Sequence, residues 1–252
     1  MFDHDDYQAI FNTRADAYHE AMLKWPHARD SEFNNLLKDL SLTPGMNIID
    51  VPSGGGYLAN YLPTDIHLHH LETSELFAEL CHSGSQHKLS LCQLDTLPVE
   101  NHSIDLALSL AGLHHIEDKK PLFGEIFRAL KPGGIVKIAD VYEQSPTAKF
   151  LDGWMSKNNS MGHHGWYLNE RTMQQLQGVG YQNVRAKQES YYWKFTSESD
   201  AAAYCKKLFG INLATQDEVS KALKHNLGFI NYPTGEVGLN WQLLYISAEK
   251  PT

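Results

Sequence analysis

Cysteine is scarce in this chain: three residues in 252, with no CxxC pair and no ladder of spacings. That argues against a disulfide-stapled scaffold or a cysteine-based zinc module, and Cys81, Cys92 and Cys205 are expected to be reduced thiols of a cytoplasmic protein. No apolar run reaches the roughly 18 residues that a membrane helix needs. The opening residues, MFDHDDYQ, are acidic where a signal peptide is basic and then apolar, so neither a span nor a leader is expected. Positive charge is also in deficit. Lys and Arg number 21 against 30 Asp and Glu, a net charge of -9, which argues against a broad grip on nucleic acid or on an anionic membrane. Repeats and low-complexity stretches are missing too. With 42% hydrophobic and 20% charged residues, the composition is that of a globular chain with a sizeable core.

What is present is a rhythm. Residues 5–24 place Tyr7, Ile10, Phe11, Tyr18 and Met22 close to one stripe at helical spacing, and a second helix over 31–40 stops at Thr43-Pro44-Gly45. Short apolar runs follow at 46–51, 66–71, 89–94, 104–110 and 135–141, separated by segments suited to helices at 55–62, 74–82 and 119–130. Such alternation predicts an α/β fold with a doubly wound, mostly parallel sheet covered on both faces, whose ligands bind at the carboxyl ends of the strands. Residues 143–166 lack a clear period. Beyond them the pattern predicts a helix over 170–177 with Asn169 as N-cap and Gly178 past its end, then a strand over 183–195. Helices follow within 197–227, starting at Ser197 and Thr215, and a last strand covers 241–248.

One segment carries most of the information: Asn47-Ile48-Ile49-Asp50-Val51-Pro52-Ser53-Gly54-Gly55-Gly56-Tyr57. An apolar strand ends in a carboxylate, and a glycine-rich turn then opens a helix, so the backbone can approach a ligand closely and offer free N–H groups to it. Glu72 ends the second strand about 20 residues on, where an acid binds ribose hydroxyls, and Asp95 ends the third. Three acids at successive strand ends form one rim.

Here the sequence resembles the class I S-adenosylmethionine-dependent methyltransferases, from about residue 45 to 141. Their first motif is matched by Asp50 to Gly56, with Pro52 in place of the first glycine, where φ is fixed and negative and the missing N–H donates no bond to a ligand. Their later motifs are matched by Glu72, by Asp95 with Leu97-Pro98, by Leu113-His114-His115-Ile116 and by Leu130-Lys131-Pro132-Gly133-Gly134; Arg14 to Tyr18 resembles their N-terminal helix. The resemblance implies a Rossmann-like methyltransferase fold of seven strands in a single domain spanning 1–252. Residues 1–40 would form the N-terminal helices, 41–142 the core that binds S-adenosylmethionine, and 143–168 and 196–238 a helical cap over the acceptor. It further implies that Asp50, Ser53, Gly54 and Gly56 hold the amino-acid end of the cofactor. Glu72 would take the ribose, Asp95 and Thr96 the adenine, Leu110 and Ala111 the methionyl end, and Tyr18 would fold over the site.

Transfer from a sulfonium is a direct displacement, and a base is needed only when the acceptor must lose a proton. His115, just past the fourth strand, is the candidate; His114, Tyr142, His163 and His164 lie near the same end. No dedicated metal site is expected, since adjacent His-His pairs point apart on a strand and no HExxH is present. The expected acceptor is a small molecule or an acyl-carrier-bound group; the layout is faintly similar to members that methylate a carrier-bound malonyl group. Two other readings stay open. Gly54-x-Gly56-x-x-Ala59 also fits a nicotinamide dinucleotide fingerprint, and a non-catalytic S-adenosylmethionine-binding protein would carry the same rim.

Overall fold

The structure, a computed structural model, describes residues 4–81 and 84–252, with side chains from Thr13 onward. The burial expected for Tyr7, Ile10 and Phe11 therefore lies outside the described residues. Eight strands, β1 (Asn47–Asp50), β2 (His67–Glu72), β3 (His87–Leu91), β4 (Ile104–Leu110), β5 (Leu130–Asp140), β6 (Gln182–Phe195), β7 (Phe229–Asn231) and β8 (Val237–Glu249), form one sheet. The path runs β3-β2-β1-β4-β5-β8-β6, and β7 pairs with β8. Neighbours from β3 through β5 are parallel, whereas β8 runs antiparallel to β5, β6 and β7. The predicted count of seven strands omits β7, whose three residues pair only with β8 and are too short to show a period.

The eight α-helices are α1 (His4–Lys24), α2 (Asp30–Leu37), α3 (Glu75–Leu80), α4 (Lys120–Ala129), α5 (Pro146–Phe150), α6 (Glu170–Val179), α7 (Glu198–Leu208) and α8 (Gln216–Asn226). Alternation along the strands divides the apolar side chains between two faces. Ile48, Leu106 and Ala139 pack with α1, α2, α7 and α8, while Ile49, Ala107 and Ile138 pack with α4 and α6. The α4 register follows from its residues. Pro121 stands in its first turn, Leu122, Phe123, Ile126 and Ala129 are all buried, and Pro132 stands two residues beyond the C-cap, so the chain leaves as β5.

Several expectations shift. The helix after the glycine-rich turn is a five-residue 3-10 helix, Tyr57–Tyr61, not an α-helix over 55–62. The expected helix over 74–82 is α3, which ends at Leu80; residues 82 and 83 lie outside the described residues. β3 ends at Leu91, so Asp95 sits in the following turn rather than at a strand end. Gly178 lies inside α6, and the left-handed cap is Gly180, φ 119°. Residues 143–166 contain α5 and a π-helical continuation, Leu151–Met155. Asn169, Ser197 and Thr215 do cap their helices, each accepting a backbone N–H with its side chain.

The helices of 196–238 are not a detachable lid. Tyr204, Cys205, Val219 and Leu223 are fully buried in the same cluster as Trp193, Leu36 and Leu243. Beneath them lies a buried ion pair: Arg29 Nε donates to Glu32 Oε1 at 3.1 Å and its Nη2 contacts the same oxygen. Glu32 Oε2 accepts from Trp193 Nε1 at 2.8 Å, and Arg29 Nη1 donates to the Tyr18 hydroxyl at 2.6 Å. Two helices and β6 are thereby joined through one carboxylate. Glu32→Ala would strand a buried guanidinium and should cost about 3–5 kcal/mol in guanidinium denaturation. Trp193→Phe, which takes the indole donor from the buried Glu32 Oε2 and part of a stacked ring from the core, should cost about 1–3 kcal/mol by the same measurement.

Candidate functional site

The strand order reverses direction at β1, which has β2 on one side and β4 on the other. Loops leaving β1 and β4 must therefore diverge, and the crevice between them is the ligand-binding place of such sheets. The loop after β1 runs through a cis Val51-Pro52 bond into Ser53 and Gly54, and the loop after β4 through Ala111 (φ 52°) and Gly112. A Cβ on Gly112 would stand 2.6 Å from Pro52 Cγ, so the proline requires a glycine opposite it.

Between the loops lies a cleft of about 510 Å³, bounded by Tyr18, Asp50, Ser53, Gly54, Leu110 and Ala111, with Phe77 and Tyr57 closing its sides. Six of the expected cofactor-site residues thus surround one space. Asp50 is buried at the end of β1, and its Oδ2 has no hydrogen-bond partner; the nearest ring nitrogen, His70 Nδ1, is 3.7 Å away. Burial raises the Asp50 pKa. A buried carboxylate oxygen without a partner is costly unless a ligand supplies a donor.

The other four expected residues do not line this cleft. Gly56, φ 73°, is tucked against Cys81, where a Cβ would meet Cys81 Cα at 3.2 Å. Asp95 is half-buried and Thr96 exposed in the turn beyond β3. Glu72 is fully buried and takes up the loop itself: its Oε2 accepts from Gly54 N at 2.6 Å, its Oε1 from Thr73 N at 2.8 Å and Ser74 N at 2.9 Å. The N–H groups expected to be free are in use, since Ser53 N bonds Leu71 O and Gly56 N bonds Ser53 O. With these donors engaged and only a 3-10 turn following, the loop offers no helix terminus for a pyrophosphate, which removes the ground for the dinucleotide reading.

A second cavity, about 600 Å³, opens beside the first and shares Tyr18, Arg29 and Ala111 with it. Its apolar wall comes from Trp193, Phe209, Trp241, Leu151 and Met155. The rings stack, Trp193 on Trp241 at 4.0 Å and Phe209 on Trp241 at 5.7 Å between centroids. Its polar wall is Arg14, His114, His115 and His163. Arg14 Nη2 donates to Leu208 O, while its buried Nε has no partner; burial lowers its pKa to about 10.

The histidines show what the sequence did not reveal. His114 and His115 sit on a 3-10 turn, Leu113–His115, not on a strand, so their rings meet with centroids 4.1 Å apart. His163 comes from the loop after α5 and lies 5.8 Å and 5.9 Å from them. His114 Nδ1 is 2.8 Å from Asp140 Oδ1 at the end of β5, and Asp140 Oδ2 also accepts from Leu113 N and His114 N. His163 Nδ1 is 2.8 Å from Asp152 Oδ1. Burial, and then the neighbouring His114, His163, Arg14 and Lys119, push the His115 pKa well below its ordinary value. His164 is exposed and lines a separate surface pocket with Trp166 and Glu143. Lys119 was not anticipated: buried, with its pKa lowered by burial to about 8, it donates to Ile116 O and Trp166 O and ties the histidine turn to the 143–168 segment.

Burial pushes the Glu72 carboxyl up to about 7 against three backbone donors that pull it down. Its folded pKa lies above the ordinary 4.5, so the native state holds a proton that the unfolded chain releases between those values, and this group's stabilisation falls as pH rises from 4.5 to 7. Glu72→Gln should flatten that part of a stability-versus-pH curve followed by urea denaturation.

The "Methyltransferase domain" family model matches residues 49–138, the span from β1 to β5 that builds both loops. Phosphoethanolamine N-methyltransferase 1 of Zea mays is 32% identical over 119 residues, covering 44% of this chain and 23% of that protein. The chain spans between 23% and 32% of the length of the first curated relatives it matches. Among solved structures, Haemonchus contortus phosphoethanolamine N-methyltransferase 2 in complex with S-adenosyl-L-methionine superposes with a TM-score of 0.65 at 18% identity, covering 98% of this chain and 60% of that one. The YcgJ protein of Bacillus subtilis gives 0.64 at 14%, covering 88% and 99%. Likeness at such identities speaks for the fold alone, and the family match is confined to residues 49–138. Its sheet order and the match over residues 49–138 support a class I S-adenosylmethionine-dependent methyltransferase domain within this chain.

Proposed function

We propose that this chain transfers a methyl group from S-adenosylmethionine to a small-molecule or carrier-bound acceptor by direct displacement, with the first cleft holding the cofactor's methionyl end and the second cavity the acceptor. The observation that carries the reading is the buried Asp50 carboxylate lining the first cleft, one oxygen of which has no hydrogen-bond partner, which suits an ammonium group. When bound, the cofactor supplies a sulfonium-activated methyl.

The residues of the chain then have separable tasks. Asp50 attracts the amino-acid end, and Ser53 and Gly54 form its floor. Leu110 and Ala111 bound the cleft from the β4 side, and Tyr18, lining both spaces, offers a ring face to a cation passing between them. Glu72 holds Gly54 in place and, with Asp95 and Thr96, lies on the side where ribose and adenine extend. Phe209, Leu208, Leu151 and Met155, from the 143–168 and 196–238 segments, keep water from the acceptor. The stacked indoles favour a flat apolar body, and the unpartnered Arg14 Nε favours an acidic or carbonyl-bearing end. His115, on the same wall, is positioned to accept a proton from an acceptor that must lose one.

Calorimetry with S-adenosylhomocysteine should show binding where NADH shows none, and Asp50→Asn should weaken it by about 1–3 kcal/mol. Equal affinity for NADH, or an unchanged Asp50→Asn, would overturn the assignment of the first cleft. With an acceptor in hand, His115→Ala should lower turnover about 10²–10⁴-fold while leaving S-adenosylhomocysteine affinity within twofold or so of the parent.

A further inference from the structure

Three imidazoles from two separate segments converge on the wall of the second cavity: His114, His115 and His163 each bring one ring nitrogen to within 4.8 Å of the other two. Around a tetrahedral zinc ion, with bonds of roughly 2.0–2.1 Å, such nitrogens stand about 3.3 Å apart, a closure that small ring rotations supply. Two of the three rings are already oriented as metal-ligating histidines are. Nδ1 of His114 faces Asp140 Oδ1 and Nδ1 of His163 faces Asp152 Oδ1, each at 2.8 Å, which leaves Nε2 as the nitrogen available to a ligand. A carboxylate behind the imidazole fixes the tautomer and raises the ligand's basicity.

These carboxylates are themselves held. Asp140 accepts from Leu113 N, His114 N and Val141 N, and Asp152 accepts from Gly165 N and the Tyr167 hydroxyl. Two backing carboxylates balance a divalent cation, against Arg14 and the Glu32-paired Arg29 lining the same cavity and Lys119 behind the histidine turn. A proton shared along either His–Asp pair needs none of this convergence; a metal ion does.

We propose that His114, His115 and His163 form a binding site for a divalent transition-metal ion of the zinc class, with its remaining coordination position open to the acceptor cavity. This rests on reading the second cavity as the acceptor site. Imidazole ligands select zinc, cobalt, nickel, copper or iron over magnesium or calcium. Three protein ligands with an open position form the arrangement of ions that bind and polarise a substrate oxygen or sulfur. With the ion present, His115 is a ligand, and coordination lowers the pKa of the acceptor's heteroatom.

The test is metal binding by the full chain, read without any assay of transfer. Protein stripped with chelator and titrated with Co²⁺ should take up one ion per chain and develop the visible absorption of a four-coordinate site, displaced by Zn²⁺. His163→Ala should weaken uptake at least about 100-fold, and Asp152→Asn, which removes no ligand, about 10–100-fold. His27→Ala, at an exposed histidine distant in sequence, should leave it unchanged. Melting curves of each variant establish folding, and the parent's Co²⁺ spectrum stands independently of any variant. Uptake below half an ion per chain, a six-coordinate spectrum, or affinity surviving in folded His163→Ala would overturn the site. S-adenosylhomocysteine calorimetry on the same stripped protein reads the first cleft separately: retained binding without metal uptake sinks only this inference, and loss of both sinks the methyltransferase reading as well.

Discussion

The guanidinium of Arg29 is buried beneath the helical side of the sheet, and the architecture around the site depends on its being paired. A lone charge at that depth would be strongly destabilising, and Glu32 supplies the counter-charge from one turn away on the same stretch of chain. The pair does more than neutralise itself. Its free valences reach Tyr18 on α1 and Trp193 on β6, so the N-terminal helices are held at a fixed height above the carboxyl ends of the strands. Arg29 and Tyr18 also form part of the boundary between the two cavities, which means that one ion pair sets both the fold of the N-terminus and the partition of the site.

The partition matters for chemistry. The proposed displacement needs its two reactants in line and away from water, and the two cavities adjoin at Tyr18, Arg29 and Ala111. On one side Asp50 and the Ser53–Gly54 backbone are set among Tyr18, Tyr57, Phe77 and Leu110; on the other, stacked indoles face Arg14, the Arg29–Glu32 pair and three histidines. Under the proposed function, the first environment would receive a zwitterionic end group and the second a flat, partly anionic molecule.

The wall of the second cavity is built from distant parts of the chain that meet through the sheet. Asp140 at the end of β5 receives the turn after β4, and Trp166 N bonds His114 O at 2.7 Å, zipping the 143–168 segment onto that turn. Lys119 closes the same seam from below. The aromatic half arrives from β6, β8 and the end of α7. α7 and α8 share a buried cluster with the sheet, so the layer over this cavity is packed as part of the core.

How far the sequence alone reaches depends on the range of the interactions concerned. Strand and helix rhythm, the caps at Asn169, Ser197 and Thr215, and the Asp50 to Gly54 turn follow from neighbours a few residues apart, and these were legible from residue order. The shared rim was legible in part: Asp50 faces the cleft, whereas Glu72 is turned behind Gly54 and Asp95 stands beyond its strand, because loop hydrogen bonding and the early end of β3 are decided by packing. The Arg29–Glu32–Trp193 network, the buried Lys119 and the meeting of His114 and His115 with His163 had no local signal. An adjacent histidine pair diverges on a strand and converges on a 3-10 turn, and only the tertiary course of the chain after β4, fixed by Asp140, decided which geometry these rings adopt.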